Sequence, residues 1–170
     1  MADLVAKEGG KPQANVQADE KKLQGLILAW ADNKGVTLKD IKGYSDDELY
    51  AIAHQGYFFL LQGKNDEGRT IFEGLVAIDP KNDYYYRALG VIYHKLGDPE
   101  RAIKQFTYAT RVAPSNLAAF INRAEVYVAT GRRREALADL DHAVNIARDP
   151  ETPLCRKARA LGDYLRKKPL

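Results

Sequence analysis

A chain of 170 residues that is 45% hydrophobic and 29% charged has the composition of a soluble globular domain with a sizeable core. Its net charge of +3 is too small to argue for nucleic-acid binding, and no apolar run reaches membrane-spanning length, which speaks against direct membrane insertion. Cys155 is the only cysteine, so an intrachain disulfide is excluded and a reducing compartment suits the chain.

The segment 1–18 is polar, with Gly9-Gly10-Lys11-Pro12 in its middle, and reads as disordered. It has no apolar signal core, so export by a cleaved leader is not expected. An N-terminal helix and linker follow over 19–43. In the helix, Asp19 to Lys34, Leu23, Leu26, Ile27 and Trp30 fall at i, i+3, i+4 and i+7 and make one apolar stripe. Gly35 supplies the stop and Val36 to Gly43 reads as a linker. Ser45 with Glu48 three residues on is a capping box that opens the next helix.

From Leu49 onward the chain repeats itself. Tyr86, Leu89, Gly90, Tyr93, Gly97, Ala102, Phe106, Ala109 and Pro114 occupy slots that recur about 34 residues earlier and later. The earlier slots hold Ile52, Gln55, Gly56, Phe59, Gly63, Gly68, Phe72, Leu75 and Pro80. The later ones hold Phe120, Arg123, Ala124, Tyr127, Gly131, Ala136, Leu140, Ala143 and Arg148. The period and register resemble the tetratricopeptide repeat, a helix–turn–helix unit. The small residues let neighbouring helices approach, the glycines after the first helices suit a left-handed cap, and the prolines end the second helices. The predicted fold class is all-α: a tetratricopeptide-repeat superhelix of three helical hairpins, with an N-terminal amphipathic helix and a C-terminal capping helix. The repeat domain spans 44–168, with repeats at about 49–82, 83–116 and 117–150. Asp98-Pro99 starts the second helix of repeat two. Thr152-Pro153 opens the capping helix, 152–167, with Leu154, Ala158, Leu161 and Leu165 on one face. Eight helices and no strands are expected.

The first helix of repeat one has two apolar faces. Leu49, Ile52, Gly56 and Phe59 read as core, while Tyr50, His54, Tyr57 and Leu61 lie at i, i+4, i+7 and i+11 on a separate face. By resemblance, tetratricopeptide arrays turn that face into a concave groove. The matching positions are Tyr84, Arg87, Ala88, Val91 and His94 in repeat two, and Ala118, Ile121, Asn122, Glu125 and Val128 in repeat three. Such a groove suits an extended peptide with a few apolar anchors. Each anchor is worth roughly 1.5–3 kcal/mol before the ordering cost, leaving an affinity on the order of micromolar. The alternative is that Tyr50 and Tyr57 pack against the N-terminal segment.

The run Thr37-Leu38-Lys39-Asp40-Ile41-Lys42-Gly43, then Glu48-Leu49-Tyr50-Ala51-Ile52-Ala53, then Tyr57, Gly63 and Lys64, resembles the class II chaperones of bacterial type III secretion, over about residues 20–166. The resemblance implies a cytoplasmic, Gram-negative bacterial, non-enzymatic chaperone that keeps secreted translocator proteins soluble before secretion. It implies a groove that takes a proline- and leucine-containing client segment, with Tyr50, His54 and Tyr57 at the aromatic positions. It also implies dimerisation through Leu23, Leu26, Ile27 and Trp30, the alternative being that this stripe packs on repeat one. A generic tetratricopeptide adaptor in another assembly is the competing function. The basic carboxylate clamp of one adaptor subclass is absent, because its slots hold Ala53, Tyr57, Ala118 and Asn122.

Nothing in the sequence calls for catalysis, a cofactor or a metal. His54, His94 and His142 fall on different repeats without ligand spacing, and His142 beside Asp141 reads as a surface pair. There is no phosphate loop or nucleophile motif. Arg132-Arg133-Arg134 reads as a solvated turn, or as a surface for an acidic patch on a partner; without interleaved aromatics it is not a stacking surface for nucleic acid.

Overall fold

A computed structural model describes residues 16–31 and 35–167. The expectation of disorder therefore lies, for 1–15, outside the described residues. So does the side chain of Trp30. The chain divides into two compact units, Met1–Gly43 and Tyr44–Leu170.

In the first unit, α1 runs Val16–Ala31, starting three residues before the expected Asp19. Leu23 and Ile27 are exposed and Leu26 is partly so. The expected linker contains a short helix, α2, Leu38–Lys42. Thr37 caps it: its N–H and hydroxyl both donate to Asp40 Oδ2 at 2.8 Å, and the Asp40 N–H donates back to Thr37 Oγ1 at 3.3 Å. Gly43 closes it at φ 73°, left-handed backbone that a side chain would strain. Two caps thus make a helix of five residues where apolar periodicity is too short to register.

The second unit holds α3 Asp46–Leu61, α4 Asn65–Ile78, α5 Asp83–Lys95, α6 Pro99–Val112, α7 Leu117–Ala129, α8 Arg133–Ile146 and α9 Pro153–Lys167. With α1 and α2 this makes nine helices among the described residues, and no strand. The helices pair as hairpins α3–α4, α5–α6 and α7–α8. Each second helix packs on the first helix of the next hairpin, and α9 covers α8. Left-handed glycines, Gly63, Gly97 and Gly131, turn each hairpin at φ 75–76°.

Packing is closest where the repeat places its small residues. A Cβ on Gly90 would stand 2.6 Å from the Phe106 ring, and one on Gly56 2.9 Å from Ile71 and 3.0 Å from Phe72. Phe72, Tyr85, Ile92 and Phe106 form a core shared by the first two hairpins, while Phe120, Ile121, Leu140 and Leu165 form a second one beneath α9.

Repeat one departs from expectation. Ile52, assigned to its core, is 42% exposed and Phe59 is half-buried; Leu49, Ala53, Gly56 and Leu60 are the buried residues of α3. Two physical reasons apply. In repeats two and three the slot of Ile52 holds Tyr86 and Phe120, whose rings meet Tyr108 of α6 and His142 of α8, whereas the matching place on α4 is Gly74, which offers no side chain. The counterpart of Phe59 is Tyr93, which donates to Glu73 of the preceding hairpin, and repeat one has no hairpin before it. On α9, Leu154 is exposed and Cys155 takes the buried place beside Ala158, Gly162 and Leu165.

The capping box of α3 is formed: Ser45 N–H and Oγ donate to Glu48 Oε2 at 2.9 Å, and the Glu48 N–H donates to Ser45 Oγ at 3.2 Å. The Ser45 backbone bond, then its hydroxyl, hold the Glu48 carboxyl below its ordinary value of 4.5. A carboxyl lowered on folding stabilises the fold above its unfolded pKa, and that contribution is lost as pH falls through the folded value. Ser45→Ala should cost about 1 kcal/mol at neutral pH. Glu48→Gln should flatten the acid limb of stability below pH 4.5, as read from urea midpoints against pH.

Candidate functional site

The first helices of the three hairpins lie side by side, α5 touching both α3 and α7, and α7 touching α9. Their inner faces carry two clefts. The smaller, about 130 Å³, is lined by Tyr57 and Leu60 of α3, Tyr84, Arg87, Ala88 and Val91 of α5, and Asn122 of α7. The larger, about 400 Å³, is lined by Val91, His94 and Lys95 of α5, Phe106 of α6, Asn122, Glu125, Val126 and Val128 of α7, and Leu161 of α9. Val91 and Asn122 line both, so the two clefts adjoin along one trough.

The sequence-derived positions fall into three sets. Tyr57, Tyr84, Arg87, Val91 and Asn122 converge on the trough. Tyr50, His54 and Leu61 of α3 line neither cleft and are exposed, Leu61 by 68%; Tyr57 itself is 52% exposed. Ile121, expected in the trough, is instead fully buried in the core of the third hairpin, because its place on α7 faces inward. Leu60, Lys95, Phe106, Val126 and Leu161 were not read as lining. Leu161 and Phe106 come from helices outside the inner row, and no spacing within one helix could have announced them.

Tyr84 anchors the aromatic end. Its ring meets Phe72 edge-on at 5.9 Å and the Arg87 guanidinium lies 5.7 Å from its centroid. Burial pushes the Tyr84 hydroxyl up; Arg87 pulls it back, and the neighbouring phenols Tyr57 and Tyr50 add to the rise. Three tyrosines thus share one electrostatic neighbourhood. Arg87 is fixed by Nε donating to Asp83 Oδ2 at 2.8 Å, and the same oxygen accepts from Asn116 Nδ2 at 2.7 Å. That shared carboxylate ties α5 to the cap of α7, setting the spacing of two walls of the trough.

Elsewhere several charges are paired. Two of the three arginines in the run are engaged, Arg132 with Glu100 and Arg133 with the Leu165 carbonyl, while Arg134 is exposed. Arg166 reaches Asp141 and Lys157 meets Glu125 at 2.6 Å. His142 is not paired with Asp141 but lies against Phe120, ring centroids 4.4 Å apart. Among the described residues no group of three or more His, Cys, Asp or Glu side chains could hold a metal, and no helix is long and apolar enough to cross a membrane.

Stacked helical hairpins around an inner trough define the tetratricopeptide-repeat fold, and the tetratricopeptide-repeat family model matches residues 93–161. Among solved structures, the Yersinia enterocolitica type III secretion translocator chaperone SycD is similar, with a TM-score of 0.71, 20% identity, and coverage of 75% of this chain and 97% of that one. PcrH in complex with the chaperone binding region of PopD is similar with a TM-score of 0.66 and 24% identity, covering 74% and 98%. The human Superkiller complex protein 3 is 24% identical over 151 residues, 84% of this chain. The chain spans only 10% of that relative's length.

Proposed function

We propose that this protein is a non-catalytic chaperone of type III secretion, which holds a short extended segment of a translocator protein in its inner trough and keeps that client soluble in the cytoplasm before secretion. The observation that carries this reading is the tyrosine-edged trough. Tyr50 and Tyr57 stand exposed beside Tyr84, although large apolar surface on a soluble chain is normally covered. A peptide strand with leucine and proline anchors offers apolar side chains to the trough's lining, Val91, Phe106, Val126 and Leu161 at one end and Tyr57, Leu60 and Tyr84 at the other. The likeness over nearly the whole of SycD and PcrH, the latter solved with the chaperone binding region of PopD, supports the same use here. The exposed Leu23 and Ile27 on α1 are the surface we assign to pairing of two copies.

A second reading, a tetratricopeptide adaptor within a larger assembly, is favoured by the match to Superkiller complex protein 3 across 84% of the chain. One experiment separates the two. Tyr50→Ala combined with Tyr57→Ala should weaken capture of co-expressed translocator from the same genome by about a hundredfold, near 2.8 kcal/mol, with an unchanged helical circular dichroism spectrum. Full retention of the client by that variant would remove the trough from the mechanism. Capture of assembly subunits and no translocator would favour the adaptor.

A further inference from the structure

The two halves of the trough differ in charge. In the smaller cleft Arg87 is already matched by Asp83 at 2.8 Å. In the larger cleft Glu125 is matched by Lys157 of α9 at 2.6 Å. Lys95, on the rim of the larger cleft, has no carboxylate within ion-pairing distance among the described residues. Beneath it lies an apolar floor contributed by four helices: Val91, Phe106, Val126 and Leu161. A space of about 400 Å³ with one unmatched cation at its mouth is chemically specific.

We propose that the larger cleft is a second anchor site of the bound strand, which takes an apolar side chain with a neighbouring carboxylate, and that Lys95 selects that carboxylate. This rests on the reading of the trough as a strand-binding site. It adds a sequence preference at the end away from the tyrosines. The apolar side chain loses water against Phe106 and Leu161, while the carboxylate stays at the rim and meets the Lys95 ammonium. Attraction at such a half-wet site discriminates modestly and sets specificity more than affinity.

Lys95 also sits in the last turn of α5, where positive charge is favoured by the helix dipole. A change in helix stability would weaken all ligands alike, so the test reads preference and not affinity alone. The probe is a positional-scanning library of short synthetic peptides, each with a fixed leucine and with neighbouring positions varied among Glu, Gln and Lys. Binding is followed by fluorescence anisotropy on the full chain. The wild type should favour Glu over Gln beside the leucine by roughly twofold to fivefold. Lys95→Gln should erase the preference and Lys95→Glu should turn it toward Lys. Tyr50→Ala with Tyr57→Ala should weaken every peptide and leave the preference intact. Equal binding of Glu and Gln peptides by the wild type, or a preference that survives Lys95→Gln, would overturn the role of Lys95 while leaving the trough standing. Failure of the wild type to bind any peptide would remove both the trough reading and this inference.

Discussion

Asp139→Ala is expected to lower the unfolding free energy of the repeat domain by about 3–5 kcal/mol, because it strands a buried cation. Arg123 donates through Nε and Nη2 to the two oxygens of Asp139 at 2.8 and 2.7 Å, and the side chains are only 14% and 10% exposed. Arg123 Nη1 also donates to Thr107 Oγ1 at 2.9 Å, so one guanidinium joins α6, α7 and α8. The side-chain bond to Asp139 raises the Arg123 pKa, and a guanidinium keeps its proton even when that bond is lost, so shedding the proton is no escape. Replacing both members, Arg123→Leu with Asp139→Gln, copies Leu89 and Gln105 of repeat two and should recover most of the loss. The threonines keep their own bonds, Thr107 donating to the Ile103 carbonyl and Thr110 to the Thr107 carbonyl. A double-mutant cycle from urea denaturation checks this. A single-variant cost below about 1 kcal/mol would mean that the pair behaves as a screened surface bridge.

Gly90→Ala should destabilise the fold by about 2 kcal/mol net. The new Cβ would lie 2.6 Å from two atoms of the Phe106 ring, which is 1% exposed and cannot swing out. Overpacking of this kind costs roughly 1–3 kcal/mol, against which alanine recovers up to about 1 kcal/mol of helix propensity. The third hairpin supplies the remedy. There the same two slots hold Ala124 and Leu140, both buried. Gly90→Ala with Phe106→Leu should therefore be more stable than Gly90→Ala alone in thermal and urea melts, and a double variant no better than the single would refute the pairing.

These two cases mark where the sequence could be read and where it could not. Gly56, Gly90 and Ala124 were legible as close-approach positions because they recur in register, and the structure places Gly56 and Gly90 against aromatic rings of the following helix. The helix-stopping glycines and the Asp98 and Thr152 caps were legible for the same reason: each is a local rule with a fixed offset. Arg123 was visible only as a missing leucine, since its partner Asp139 occupies a slot with no consensus chemistry. Ile52 was misplaced because its cover on α4 is Gly74, where the later repeats place Tyr108 and His142. α2 was overlooked because five residues carry no period, although Thr37 and Asp40 spelled out its cap. Much of the trough was legible, with Asn122, Glu125 and Val128 on α7 as well as the positions on α3 and α5. The part built by Lys95, Phe106 and Leu161 depends on three helices meeting, and only tertiary structure says that they do.

The Asp83 carboxylate, shared between Arg87 and Asn116, has a mechanical meaning. In a stack of hairpins, curvature is the sum of small rotations between successive units. A single acceptor that grips both the second and third hairpins resists one of those rotations. The junction of the first and second hairpins is braced differently, by a common apolar core and by Tyr93 Oη donating to Glu73 Oε1 at 2.6 Å, so the two joints of the stack answer to different chemistry, one to burial and the other to charge.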